Sequence, residues 1–142
     1  MVIFLMIVSV FFLPLSYWFI RLKQIERTYV NAIKKELNNK NFFCYNNRKS
    51  GQSFVEITLS PLLSSEIELI YLDGKILHSS YDKQLIFNLL HHLQNYSKFP
   101  HLIKIRNGRV IDQSINNDFF NTLNQDKPIE HLLDKIECFF KD

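Results

Sequence analysis

Twenty consecutive positions, Met1–Ile20, carry no charged side chain, and their only polar breaks are Ser9, Ser16 and Tyr17. At about 1.5 Å per residue a helix of that length spans roughly 30 Å, the thickness of a bilayer's hydrocarbon core. A cleaved signal peptide would place basic residues before a shorter apolar run and small residues at the cleavage site. Here no Lys or Arg precedes the run, and Tyr17-Trp18-Phe19-Ile20 is bulky. The pattern predicts a retained transmembrane anchor over residues 1–20. Tyr17 and Trp18 suit an interfacial aromatic belt, with Arg21 and Lys23 reaching the headgroups beyond it. Pro14 is tolerated in a membrane helix.

Beyond the run, Leu22, Ile25, Tyr29, Ile33 and Leu37 recur at steps of three and four. This stripe predicts an amphipathic stalk helix over residues 21–38, ending at the turn-rich Asn38–Asn41. Residues 39–142 then read as a soluble domain. A short strand is expected at Phe42–Tyr45, and a second at "SFVEITLS", where Val55, Ile57 and Leu59 alternate with Phe54, Glu56 and Thr58. "EIELIYLDGKILHS" predicts a hairpin turning at Asp73-Gly74, and "HLIKIRNGRVID" another at Asn107-Gly108. Between them "SSYDKQLIFNLLHHLQNY" predicts a helix capped by Ser79, with Leu85, Leu89, Leu93 and Tyr96 on its core stripe, widened by Ile86 and Leu90. A short helix over Asn116–Leu123 and a last one over Ile129–Phe140, opened by Pro128, complete the chain. The fold expected is α+β: an anchor and stalk, then a mostly antiparallel sheet with helices packed on one face.

The chain has 142 residues, so about 120 lie beyond the anchor, enough for one domain and not two. A net charge of +3 is too small for bulk attraction to nucleic acid, and no nucleic-acid partner is expected. Arg21, Lys23, Arg27, Lys34 and Lys35 all follow the apolar run, which by the positive-inside rule puts the domain on the cytoplasmic side, or the matrix or stroma side of an organelle. The two cysteines, Cys44 and Cys138, suit a reducing compartment, whereas the opposite orientation would allow a bridge between them. A single alanine beside abundant Phe, Ile, Asn and Lys points to an AT-rich genome: an organelle, an AT-rich bacterium or a virus.

The candidate chemistry is thin. His91 and His92 are about 100° apart around a helix and diverge, and His78, His101 and His131 have no ligand spacing around them. No nucleophile elbow, zinc-protease motif or phosphate-cradling glycine loop occurs. No enzyme activity, metal, cofactor or small-molecule substrate is therefore expected. The turns are basic: Arg48 and Lys49, Lys75, and Arg106 and Arg109 form a candidate basic rim, with the first two turns expected at one end of the sheet. The function expected is a non-enzymatic, single-pass membrane subunit or assembly factor of a larger complex, its partners the other subunits and the bilayer. The alternative is a self-contained tethered binding module, an immunity-type inhibitor or an anionic-lipid sensor. Phe54, Phe87 and Phe119 are candidate exposed contact residues.

Overall fold

The structure, a computed structural model, describes residues 2–93, 96–125 and 127–141, with side chains described from residue 14 onward. Helix α1 spans Val2–Ala32 and widens into a π turn over Ile33–Leu37. Asn39, at a positive φ of 63°, then reverses the chain into strand β1, Asn41–Asn46. Helix α2, Lys49–Ser53, continues as a π-helical stretch over Phe54–Leu59 and one 3-10 turn over Ser60–Leu62. Strands β2, Ile67–Asp73, and β3, Ile76–His78, precede helix α3, Lys83–His91. Strands β4, His101–Arg106, and β5, Arg109–Ser114, lead to α4, Asn116–Gln125, and α5, Ile129–Lys141.

The five strands form one sheet in the order β3-β2-β1-β4-β5. Three of its pairings are antiparallel, and β1 with β2 is parallel, Asn41 opposite Ile67 and Asn46 opposite Leu72. That one parallel pair explains the largest departure from the sequence expectation. A parallel neighbour requires the chain to travel back along the sheet before β2 begins, and a helix is the usual way to do it. Residues 53–60 therefore form helix, not strand. Val55 and Leu59, four apart, are wholly buried on its inner face, while Ile57, which strand alternation would put beside them, is 76% exposed.

Helices also cover both faces of the sheet rather than one. The central strand β1 is buried from Asn41 to Tyr45, so both of its faces need covering. Phe42 and Cys44 point into a layer with Ile33 and Leu37 of the stalk, and with Leu85, Ile86, Leu89 and Leu90 of α3. Phe43 and Tyr45 point the other way, against Val55, Leu59, Phe119, Leu132 and Ile136. Cys44 is buried in the first layer and Cys138 exposed on α5, behind the second, so the sheet separates them and no bridge joins them.

Both hairpins form where glycine allows them. Asn107 and Gly108 take φ of 54° and 73° between paired Arg106 and Arg109, the two-residue type I′ pattern. The other loop is Gly74-Lys75, one residue later than expected, with positive φ at Gly74 alone, as in a type II′ turn. Helix α3 is capped by Asp82, not Ser79: the Asp82 carboxylate accepts from the Leu85 amide at 2.9 Å, while the Ser79 hydroxyl accepts from the Tyr81 amide. The helix stops at His91, short of the expected end; Tyr96 is 37% exposed and off the core, and Gln94 and Asn95 lie outside the described residues.

Candidate functional site: the protruding helix and the sheet end beneath it

The lower end of α1 belongs to the domain. Ile33 and Leu37 are buried, Tyr29 and Ala32 pack partly against them, and the Leu37 carbonyl accepts from the Lys40 amide at the entry to β1. Lys34 sits so close to the β4–β5 turn that a Cβ on Gly108 would lie 3.1 Å from the lysine's own Cβ. Higher up nothing in the described chain covers the helix. Residues 14–28 are all exposed, about 22 Å of helix, with Leu15, Tyr17, Trp18, Phe19, Ile20 and Ile25 each more than half exposed. Only the lower half of the expected stalk stripe is therefore used for packing; Leu22 and Ile25 are open. The anchor expectation over 1–20 falls largely on residues 1–13, whose side chains lie outside those described. Among the described residues no helix is long and apolar enough to cross a membrane.

The direction of α1 follows from its contacts. It ends where β1 begins, and Ala32 and Tyr29 lie back across the sheet face. Tyr29 stacks on His92 at 5.0 Å, just past the end of α3. The start of α3 is at the opposite end, where the Tyr81 hydroxyl donates to Glu68 near the start of β2. α1 and α3 thus run antiparallel, and α1 leaves the domain over the end of the sheet where β1 and β2 finish. Between the two helices lies a groove of about 500 Å³ lined by Arg21, Ile25, Tyr29, Glu36, Asp82 and Asn88, among others. Burial pushes the Tyr29 phenol up to about 12, so it is neutral at every physiological pH.

The candidate rim divides between the two ends. Arg48 and Lys49 follow β1, Lys75 follows β2, and the parallel pairing brings them to one end, tied across by Asn47, which donates to Asp73 at 2.9 Å. All three are exposed. Arg106 and Arg109 flank the β4–β5 turn, at the opposite end, because β4 runs antiparallel to β1. Two of the five cations also have structural partners: Arg48 lies over the Phe120 ring at 4.7 Å, and Arg106 donates to the Asn41 side chain at 2.7 Å.

The remaining polar residues mostly hold the fold. Lys104, nearly buried on β4, donates to the Phe139 carbonyl at 2.7 Å, so a cation meets the negative end of α5. The buried His101 ring lies 3.6 Å from Asp112 and 5.1 Å from the Phe99 ring. His91 stacks on Tyr96 and His78 on Tyr71. Among the described residues no three His, Cys, Asp or Glu side chains converge to hold a metal. Burial pushes the Cys44 thiol well above its ordinary value, which makes it a core group. Phe119, expected at the surface, is wholly buried with Phe54 edge-on at 5.4 Å; Phe87 is 38% exposed.

Glu68 is the hub that sequence gave no sign of, because its partners are remote in the chain. It accepts from Lys40 at 3.1 Å, Tyr81 at 2.6 Å and Ser80 at 3.2 Å. Partial burial pulls its pKa upward, but these three donors and the lysine charge outweigh it, so the net shift is downward. A lowered folded pKa means the stabilisation is present above the unfolded value of about 4.3 and is lost as pH falls through the folded value. Glu68→Gln should therefore lower stability by about 1 kcal/mol at pH 7. Urea titrations of the two proteins are expected to converge as pH falls below the folded value, and a gap that persisted there would show that the carboxylate charge is not what matters.

The architecture is thus an α+β domain carrying one long helix, exposed from residue 14 to residue 28 and uncharged there as far as Ile20. No family model matches the chain, and neither a curated protein nor a solved structure does.

Proposed function

We propose that this protein is a single-pass membrane subunit or assembly factor of a larger complex, non-enzymatic, held at the bilayer by α1 and docking a partner with its folded domain. One observation carries this reading. The same continuous helix is part of the core at Ile33 and Leu37, yet uncharged, mostly apolar and exposed from Leu15 to Ile20. An exposed sleeve of that kind marks a surface that meets lipid or another protein. In the sequence the uncharged run extends back to Met1, and twenty residues of helix would match the roughly 30 Å of a bilayer's hydrocarbon core. The cations that follow, from Arg21 to Lys35, favour a domain on the cytoplasmic, matrix or stroma side.

The non-enzymatic part rests on how the reactive side chains are used. Lys104 caps a helix, Glu68 links β2 to the start of α3, and Cys44 is sealed in the core. The exposed surface carries apolar side chains such as Ile57 and Phe87 that suit contact. Photo-crosslinking side chains at Phe87 and at Ile57, on opposite layers of the domain, test the docking. In native membranes one of the two positions should give a discrete adduct, and it names the face. Absence of an adduct at both would contradict a resident partner.

A further inference from the structure

We infer that the sheet end bearing Arg48, Lys49 and Lys75 rests on the anionic lipid headgroups of the bilayer that holds α1. The inference builds on the anchor reading and adds to it a second contact between the folded domain and the membrane.

The carrying observation is direction. α1 leaves the domain over the end of the sheet where β1 and β2 finish, and that end presents Arg48, Lys49 and Lys75 in exposed positions. Lys98 adds a fourth exposed cation there: its carbonyl accepts from Ser114 at the finish of β5, beside the start of β4. Asp73, bonded to Asn47, and Glu56, bonded to Gln52 and Tyr45, keep their charges at this end, and the four cations outnumber them. Only about 12 Å of helix separates Arg21, at the edge of the apolar run, from Tyr29, which lies on the sheet face. That distance is comparable with a Debye length of about 8–10 Å, so the cations feel the potential of a negative leaflet. Arg106 and Arg109, at the far end, do not share this position.

The protein supplies its own control. Cys138 is exposed near the end of α5, whose Phe139 carbonyl meets Lys104 beside the start of β1, away from the proposed contact. A fluorophore on Cys138 of the full chain is compared with one on Ser50→Cys in a Cys138→Ser background; Cys44 is too buried to react. Both proteins are inserted in phosphatidylcholine vesicles containing about 30% phosphatidylglycerol and headgroup-nitroxide lipid. The label at position 50 should be quenched about twofold more than the label at 138, and about 0.5 M KCl should erase the difference. The exposed double variant Lys49→Glu/Lys75→Glu should erase it as well, with flotation after an alkaline wash unchanged. Flotation with equal quenching at the two sites overturns this inference alone. Loss of flotation overturns the anchor and the inference with it.

Discussion

Replacing Phe43 with alanine should cost about 3–5 kcal/mol and bring the domain close to unfolding. Phe43 is at the middle of β1, with no exposed surface, in the layer formed by Val55, Leu59, Leu102, Phe119, Leu132 and Ile136. Its ring, beside that of Tyr45, is what β1 packs against the helices of this layer, and those helices cannot all collapse into the space it leaves. The comparison that gives this prediction its edge is Ile57→Ala. If residues 53–60 were a half-buried strand, Ile57 would share a core face with Val55 and Leu59, and its truncation would cost 2–5 kcal/mol, roughly as for other buried aliphatics. On the helix it points to solvent, and the expected change is within about 0.5 kcal/mol. Urea unfolding of the full chain in detergent, followed by near-ultraviolet circular dichroism, reads both. A large loss at Ile57 would restore the strand.

The second large effect concerns the anchor. Phe11→Lys with Phe12→Lys places two charges at the centre of the uncharged run. Each lysine at the middle of a membrane helix costs about 2.5–3.5 kcal/mol on insertion scales, so the pair removes roughly 6 kcal/mol. The wild-type chain should stay with the membrane through an alkaline wash, and the double variant should be released into the supernatant. The folded domain should be indifferent, because its contacts with α1 begin at Tyr29. Release of both proteins alike would mean that the apolar sleeve from Leu15 to Ile20 is covered by another protein surface and not by lipid.

Much of this architecture was legible from local chemistry. Gly74 and Asn107-Gly108 announced their hairpins because only a few residues accept the backbone that such turns need, although the first loop begins at Gly74 and not at Asp73. The stripes of α3 and α5 are long enough for a 3.6-residue period to show. Leu85, Ile86, Leu89 and Leu90, and Leu132 and Ile136, are buried as expected, while Tyr96 is not and Ile129, Leu133 and Phe140 are half-buried. Residues 53–60 were not legible, because Val55, Ile57 and Leu59 satisfy a strand by alternation while Val55 and Leu59 alone satisfy a helix. What decides between them is a pairing remote in the chain: β2 lies parallel to β1, Asn41 opposite Ile67, and the return crossing needs a helix. The same long-range fact divides the basic turns, sending Arg48, Lys49 and Lys75 to one end and Arg106 and Arg109 to the other. The one-sided sheet failed for a related reason. "NFFCY" is apolar in both parities, which marks a central strand covered on both faces. The Glu68 hub joins Lys40, Ser80 and Tyr81, and no local pattern encodes a cluster assembled from such separate segments.

The most direct test of the central claim is the native mass of the full-length protein extracted from its own membranes in mild detergent, with co-purifying chains identified by mass spectrometry. The account predicts migration in a large assembly of fixed composition, whose other members then define the function. Migration alone, or with one small soluble partner, would contradict it and make the protein a self-contained tethered binding module.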